Sequence, residues 1–146
     1  MDNLTLRVNM SIERIAVLGA GQMGNGIAQV AACAGYEVVM IDIKQDYLDK
    51  GLAAIENSLS RVVKKERMTQ QDADEAISLI SISTEKTSAA DADLVVEAIP
   101  EIPELKYSTF AELDSICKPE AILASNTSSI SINAIADATS RPDRVI

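Results

Sequence analysis

The chain has 146 residues, which is enough to bury one substantial hydrophobic core and short for an enzyme of two domains. It carries 13 Lys and Arg residues against 22 Asp and Glu residues, a formal net charge of -9. No block of basic residues offers a footprint for a phosphate backbone or an anionic lipid surface, so nucleic acid and membranes are not expected partners.

Residues 1–11 are predicted to form a leader in front of a single domain over residues 12–146. The leader "MDNLTLRVNM" has an acid at Asp2 and lacks the apolar core of a signal peptide. No apolar run in the chain approaches the ~20 residues that a membrane span needs. We therefore expect a cytoplasmic protein.

Apolar runs of strand length alternate along the chain with segments of helical spacing. The runs are nearly continuous in Val, Ile and Leu, which is typical of strands buried on both faces of a parallel sheet. The predicted strands are residues 14–19, 37–42, 77–83, 93–99 and 121–126. The predicted helices are residues 23–34, 45–66, 70–77, 103–116 and 130–138. This alternation predicts an α/β fold, a Rossmann-type doubly wound parallel sheet.

Two segments depart from this simple alternation. Residues 46–84 are longer than one crossover and rich in charge, which predicts a helical hairpin projecting from the sheet. Thr69 is predicted to cap its second arm, with Asp72 as the capping-box partner. Such a hairpin can cover a bound ligand, and a helix pair packed on the sheet is the alternative. The final "RPDRVI" looks like the start of a sixth strand, so we expect that strand to be truncated and the domain to be incomplete.

The stretch "GAGQMG" from Gly19 to Gly24 has the pattern G-x-G-x-x-G in a specific context. It follows a buried strand and opens a helix, and the next strand ends in Asp42. Gly19 permits a tight turn, and Gly21 lets the backbone approach a pyrophosphate. Gly24, with Gly26 beyond it, allows the helix to pack on the sheet. The free N–H groups and the positive end of that helix favour a diphosphate.

Asp42 determines which dinucleotide we predict. Its carboxylate can accept hydrogen bonds from both hydroxyls of an adenosine ribose, and its charge repels a 2′-phosphate. The sequence therefore predicts an NAD site rather than an NADP site. FAD shares the glycine fingerprint, but so short a chain leaves no isoalloxazine-binding region. Taken singly, the glycines could form a plain turn and Asp42 could be a solvated acid.

The sequence lacks the usual group for removing a hydroxyl proton. Hydride transfer to or from an alcohol carbon needs a general base, most often His, and the chain contains no His. Glu97 and Lys106 could take that role only in an unusual buried environment. We therefore expect the catalytic base to lie outside this chain and the chain to be inactive alone.

Two later motifs follow the fourth and fifth predicted strands, where such a sheet meets the nicotinamide. The first, "PEIPELK", contains Glu101 and Lys106, and its prolines favour a rigid turn into a helix. The second, "NTSS" at residues 126–129, offers small polar side chains that can hydrogen-bond a carboxamide, a ribose or a substrate oxygen. Solvated first-turn residues and an ordinary helix cap are the alternatives.

These segments together resemble a known family. "VLGAGQMGNGIAQVAACAGYEVVMID", "VVEAIPE" followed by Lys106, and "ASNTSSISI" leading to "RPDRVI" resemble the NAD-binding domain of L-3-hydroxyacyl-CoA dehydrogenases, including the 3-hydroxybutyryl-CoA enzymes. The likeness extends from about Ile12 to Ile146. It implies a Rossmann-type domain with NAD as cofactor.

The resemblance also implies roles for individual residues. The implied cofactor-binding residues are Gly19, Gly21, Gln22, Met23, Gly24, Asp42, Glu101, Lys106 and Ser128. Ser128 is also the implied catalytic-site residue that hydrogen-bonds the 3-oxygen of the substrate. Ser58 and Lys65 match positions of the helical hairpin that contact coenzyme A. No metal site is expected.

The family's general base is a His beyond the "RPDRVI" segment, and its helical C-terminal domain binds the acyl-CoA and forms the dimer. Neither is expected in this chain. The resemblance implies that the whole protein is a homodimeric NAD-dependent (S)-3-hydroxyacyl-CoA dehydrogenase of fatty-acid β-oxidation or butanoate-type metabolism. A dehydrogenase like L-gulonate 3-dehydrogenase or lambda-crystallin, a non-catalytic NAD-binding module, and fusion to an enoyl-CoA hydratase module stay open as alternatives.

Overall fold

A computed structural model of the chain describes residues 11–146. The expectation for the leader therefore falls almost wholly outside the described residues. Five strands form one parallel sheet in the order β3-β2-β1-β4-β5. They are β1 (Arg14–Leu18), β2 (Glu37–Ile41), β3 (Ile80–Ser83), β4 (Leu94–Glu97) and β5 (Ile122–Ser125). The predicted Rossmann-type α/β sheet is confirmed.

Five α-helices lie between or after these strands. They are α1 (Gln22–Cys33), α2 (Gln45–Lys64), α3 (Gln70–Ser78), α4 (Pro103–Ile116) and α5 (Ile132–Ala136). The bounds of α4 agree with the prediction, whereas α5 is shorter because Ser131 caps it by accepting the Ala134 N–H. The third strand starts later than predicted because α3 continues to Ser78. No helix within residues 11–146 is long and apolar enough to cross a membrane.

The sheet separates two hydrophobic cores, because successive side chains of a strand point to opposite faces. Ile15 and Val17 of β1 pack on one face with α1, α2 and α3. Ala16 and Leu18 pack on the other face with α4 and α5. All four side chains are buried. β1 is therefore covered on both sides, as its continuous apolar run predicts.

The helical hairpin of α2 and α3 packs along α1 instead of standing clear of the domain. Leu48, Ile55 and Leu59 of α2 are buried in the core that α1 shares with the sheet. Thr69 accepts a hydrogen bond of 3.1 Å from the Asp72 N–H, which confirms the predicted cap of α3. The apolar stripe of α2 requires this cover, since leaving it in water would cost free energy.

The end of the described chain forms a turn and a single bridge where the sequence predicts the start of a strand. Pro142–Arg144 is a 3-10 turn, because Pro142 fixes φ and has no N–H to donate to a sheet. Val145 then pairs in parallel with Leu123 of β5, and the Ile146 N–H donates to the Leu123 carbonyl at 3.0 Å. The predicted sixth strand thus amounts, within the described residues, to one bridge beside β5.

Arg141, directly before the 3-10 turn Pro142–Arg144, forms hydrogen bonds with residues at the C-terminal end of α4. Its Nε donates to Asp114 Oδ1 at 2.6 Å. Its two terminal nitrogens donate to the carbonyls of Asp114, Cys117 and Lys118 at 2.9, 3.2 and 2.6 Å. The last carbonyls of a helix have no partner within the helix, so the guanidinium supplies donors that α4 itself lacks.

Asp93, just before β4, gives the fold a measurable dependence on pH. Lys118 Nζ donates to Asp93, and the N–H groups of Glu13 and Arg14 donate to its Oδ2 at 2.8 and 2.9 Å. The Lys118 hydrogen bond and these two backbone bonds lower the pKa of Asp93 from 3.8 to about 2, against the opposing effect of burial. An acid with a lowered pKa stabilises the fold at higher pH and loses that contribution as the pH falls through its folded value.

We expect Asp93 to contribute about 1 to 2 kcal/mol at neutral pH, a contribution lost between pH 3.8 and about 2. Asp93→Asn should have a lower free energy of unfolding than the wild type at pH 7. At pH 2 the difference between the two free energies should be smaller. Urea unfolding at both pH values measures this. Asp46→Asn is the control, because its ion pair with Lys50 is exposed and contributes little. Equal wild-type and Asp93→Asn stabilities at pH 7 would contradict the expectation.

Candidate functional site

The loop after β1 is held between β4 and α1 at the point where the sheet reverses its strand order. Gly19 has φ of +103°, and a Cβ on it would lie 2.5 Å from the Ala98 carbonyl oxygen. A Cβ on Gly24 would lie 1.8 Å from the Gly19 carbonyl oxygen. The turn therefore requires glycine at position 19, as predicted. Gly24 was predicted to let the helix pack on the sheet, and the atoms that its Cβ would meet belong to the loop at Gly19. The packing role predicted for Gly26 is wrong, because a Cβ there meets nothing within 4 Å.

Gly21, Gln22 and Met23 present the N-terminus of α1 to solvent. All three are exposed, and no described side chain caps the helix at Gly21. Its first N–H groups are therefore available to an anion, and the helix dipole favours negative charge there. A Cβ on Gly21 meets nothing within 4 Å, so the protein's own packing does not require glycine at this position. Space beside the backbone is what a pyrophosphate needs.

Asp42 lies immediately after β2 and forms a hydrogen bond with the backbone of the glycine loop. Its Oδ2 accepts a hydrogen bond of 2.7 Å from the Ala20 N–H, and its Oδ1 accepts one of 2.7 Å from the Ile43 N–H. Ile43, the next residue, is 77% exposed. The carboxylate is thus oriented at the edge of the loop and has further lone pairs for a ribose hydroxyl.

Ser58 lies in a groove between α1 and α2 that begins at Gly21. Its hydroxyl accepts a hydrogen bond of 3.0 Å from the Gln29 side chain of α1. Lys50 and Arg61 also line this groove and place positive charge along it. Lys65 is exposed at the end of α2, outside the residues that line the groove. Of the two residues predicted for coenzyme A, Ser58 thus lies within α2 beside the loop, and Lys65 lies directly after the last residue of α2.

Glu101 and Lys106, predicted for the nicotinamide side, flank the start of α4. The Lys106 ammonium is fully buried and lies 2.5 Å from Glu97 Oε2 and 3.8 Å from Glu101 Oε1. The Glu101 side chain is 43% exposed and accepts a hydrogen bond of 2.5 Å from the Thr127 hydroxyl. The surface at this point is thus formed by Glu101, and Lys106 lies beneath it.

Ser128 lies in the loop after β5 and is exposed. Thr127 shapes this loop, because its Oγ1 accepts hydrogen bonds from the N–H groups of Ser129 and Ile130 at 3.4 and 3.0 Å. The Asn126 N–H donates to the Glu97 carbonyl at 2.8 Å, which joins the loop to the end of β4. The structure therefore brings the "NTSS" segment beside Glu101, as their positions after neighbouring strands predict.

Sequence reasoning gave Glu97 no binding role and did not find Lys50 or Arg61. Glu97 is fully buried and bonded to Lys106, so it is no solvent-facing base. An acid inside the apolar run "LVVEAI" was the available signal. Arg61 follows Ser58 by three positions on a helix, a spacing that puts two residues on neighbouring turns of one face. Among residues 11–146 no cluster of His, Cys, Asp and Glu could hold a metal ion.

A family model described as "3-hydroxyacyl-CoA dehydrogenase, NAD binding domain" matches residues 14–146. A 3-hydroxybutyryl-CoA dehydrogenase of Bradyrhizobium diazoefficiens is 48% identical over 92% of this chain and 46% of its own length. A peroxisomal fatty acid beta-oxidation multifunctional protein of Arabidopsis thaliana is 36% identical over 92% of this chain and 19% of its own length. The chain thus spans about half the length of the bacterial relative and about a fifth of the length of the plant relative.

A solved structure leads to the same family. The crystal structure of an (S)-3-hydroxybutyryl-CoA dehydrogenase from Ralstonia eutropha superposes with a TM-score of 0.91 at 44% sequence identity. The match covers 93% of this chain and 48% of that one. A fold match of this quality together with the family match over residues 14–146 settles the membership. The chain belongs to the 3-hydroxyacyl-CoA dehydrogenase family, and the part it represents is the NAD-binding domain.

Proposed function

We propose that this chain holds NAD at the switch point of its sheet and serves a dehydrogenase that acts on (S)-3-hydroxyacyl-CoA. The observation that carries the proposal is the glycine loop, which is locked by Gly19 and Gly24 and bonded through the Ala20 N–H to Asp42. The two loops with Glu101 and Ser128 lie at the same edge of the sheet. In open α/β sheets, ligands bind at this edge.

The proposal divides the cofactor between two groups of residues. Asp42 accepts hydrogen bonds from the adenosine ribose, and the exposed N–H groups of residues 21–23 bind the diphosphate. Glu101, Lys106 and Ser128 serve the nicotinamide half. When bound, NAD supplies the carbon that exchanges a hydride with C3 of the hydroxyacyl thioester. The residues of this chain bind and orient, which is their share of the catalysis.

For the acyl-CoA substrate, the proposal uses Ser128 and the groove beside the hairpin. Ser128 hydrogen-bonds the 3-oxygen, and Ser58 and Lys65 contact coenzyme A. Arg61, which lines the groove with Ser58, adds a cation suited to a phosphate. The sequence contains no His, so the general base is assigned to a part of the whole protein that this chain does not span.

The proposal also includes a homodimer in the whole protein and a cytoplasmic location. The family resemblance supports the homodimer, and the lack of an apolar run of membrane-spanning length supports the location. A role in β-oxidation or in butanoate-type metabolism is part of the proposal, and the names of the plant and bacterial relatives support it.

A titration with NAD and with NADP tests the cofactor part of the proposal. We expect the 146-residue chain to bind NAD at least about tenfold more tightly than NADP, because the Asp42 charge repels a 2′-phosphate. Asp42→Asn keeps the size of the side chain and removes the charge; its one acceptor oxygen can keep the Ala20 N–H of the loop, while the hydrogen bond from the Ile43 N–H is lost. The variant should therefore lose most of the preference for NAD. Isothermal titration measures both affinities.

Asp49→Asn is the matched control for this titration. Asp49 is exposed on α2 and accepts a hydrogen bond from Gln45, so its substitution makes the same charge change away from the loop. The control should keep the preference for NAD. A chain that binds neither nucleotide, or a preference that survives in Asp42→Asn, would contradict the proposal. An assay with 3-hydroxybutyryl-CoA runs beside it, and turnover by this chain would contradict the assignment of the base.

A further inference from the structure

Glu97 is a fully buried carboxylate at the carboxyl end of β4 with a complete set of partners. Its Oε2 accepts hydrogen bonds from Lys106 Nζ at 2.5 Å and from the Ile99 N–H at 2.8 Å. Its Oε1 accepts a hydrogen bond of 2.6 Å from the Ser125 hydroxyl. A buried charge is tolerated only when it is paired and hydrogen-bonded, and Glu97 meets that condition through three separate segments.

The contacts of Glu97 reach the two loops that form the nicotinamide side of the site. The Lys106 ammonium lies between Glu97 and Glu101, and Glu101 accepts the Thr127 hydroxyl. Ser125 is the last residue of β5, directly before the loop that carries Ser128. The buried Glu97 carboxylate therefore connects the loop after β4 with the end of β5, where the loop of Ser128 begins.

Stability alone does not explain this ion pair. Replacing a buried ion pair by apolar side chains of similar volume is often neutral or stabilising, so such a pair is weak evidence for stabilisation. A fully satisfied polar network does, however, impose one geometry on the groups it joins. The groups joined here include Glu101 and Lys106, which are proposed for the nicotinamide half of the cofactor, and Ser125, which precedes the loop of Ser128.

We propose that Glu97 is a positioning residue for the nicotinamide half of NAD, acting through Lys106 and Glu101 on one loop and through Ser125 on the other. This inference rests on the proposed function. Glu97 itself does not touch the cofactor, because its side chain is fully buried. The adenosine half contacts Asp42 and the glycine loop, which hold no hydrogen bond to this network among the described residues. The glycine loop packs on the backbone of Ala98, next to Glu97, but among the described residues no side chain of the network bonds to it, so the two halves of the ligand depend on different side chains.

This separation allows a test with two ligands, NAD and ADP, because ADP lacks the nicotinamide half. We expect Glu97→Gln to lower the affinity of the 146-residue chain for NAD about tenfold and to leave the affinity for ADP unchanged. A general loss of structure would lower both affinities. Titration calorimetry with each ligand gives the two values.

A second variant keeps the test decisive if Glu97→Gln fails to fold because it leaves the buried Lys106 with Glu101, at 3.8 Å, as its nearest carboxylate. Ser125→Ala removes the hydrogen bond to Glu97 Oε1 and leaves the Glu97–Lys106 pair in place, and we expect a selective loss of NAD affinity here too. Asp93→Asn is the control, because Asp93 lies at the other end of β4 and pairs with Lys118. It should change stability and leave the ratio of NAD to ADP affinity as in the wild type.

The outcomes separate this inference from the proposed function. Equal losses for NAD and ADP in either variant, or an unchanged NAD affinity in Ser125→Ala, would overturn the role of Glu97 while leaving the proposed function in place. A wild-type chain that binds neither ligand would overturn both.

Discussion

Gly24→Ala is expected to destabilise the domain severely and to abolish binding of NAD. The new Cβ would lie 1.8 Å from the Gly19 carbonyl oxygen and 2.6 Å from its carbon, both of which are backbone atoms. Gly19 cannot move away, because its own position is limited by the Ala98 carbonyl. We expect a loss of about 3 kcal/mol or more in the free energy of unfolding, the range of severe core overpacking. Urea unfolding and a titration with NAD measure the two effects.

Gly26→Ala is the matched control, since it makes the same chemical change two positions later on the same helix. A Cβ on Gly26 meets nothing within 4 Å, and alanine has the higher helix propensity. This variant should gain about 0.5 to 1 kcal/mol. A Gly24→Ala chain as stable as the Gly26→Ala chain would show that the loop can move off α1.

Arg141→Met is expected to cost about 3 kcal/mol of stability without a direct effect on the nucleotide loop. The variant keeps much of the apolar stem but removes donors to Asp114 and to the carbonyls of Cys117 and Lys118. The Arg141 and Asp114 side chains are only 10% and 14% exposed, so water replaces these bonds poorly. The Asp114 carboxylate then lacks its partner charge and keeps the Ser140 N–H, the carbonyls of Asp114 and Cys117 lose the donors that Arg141 supplies, and the Lys118 carbonyl keeps the Ala121 N–H. Thermal and urea unfolding at pH 7 measure it.

Lys86→Met serves as the control for Arg141→Met. Lys86 pairs with Glu112 of α4, but the side chains of this pair are 34% and 52% exposed. An exposed ion pair contributes at most about 1 kcal/mol, so the control should be close to the wild type. If Arg141→Met and Lys86→Met lower the free energy of unfolding equally, the hydrogen bonds of Arg141 do not stabilise the end of α4 as we expect.

The parts of the fold that could be predicted from the sequence are those with a local physical cause. β1 is nearly continuous in apolar residues and β4 is apolar up to Glu97, a pattern typical of strands covered on both faces. The turn at Gly19 was predictable because positive φ and close packing both favour glycine. The hairpin of α2 and α3 was predictable from its charge and its cap at Thr69, but its contact with α1 depends on tertiary packing that no local pattern shows.

Within the candidate site, the sequence predicted residues for the two halves of the cofactor from their individual residue types. It did not predict the hydrogen bonds that connect side chains of the site to one another. The loop glycines, Asp42 and the loop with Ser128 stand out because their residue types match a ligand's chemistry. Glu97 and Arg141 do not, because their roles depend on partners distant along the chain, such as Ser125 for Glu97. A buried charge inside an apolar strand is a signal that a partner exists, but the sequence does not identify the partner.

The contact of Gly19 with Ala98 has a consequence for the order of events during synthesis of the protein. The N–H of Ala98 donates to the carbonyl of Leu18, so the turn that starts the nucleotide loop is completed by β4. During synthesis, β1, α1 and β2 leave the ribosome early. Pairing of β1 with β4 must wait, because Arg14 at the start of β1 and its hydrogen-bond partner Asp93 before β4 are 79 positions apart. Closing so long a loop is an entropic cost that only the docked sheet compensates. Affinity for a nucleotide should therefore arise late, after β4 has left the ribosome.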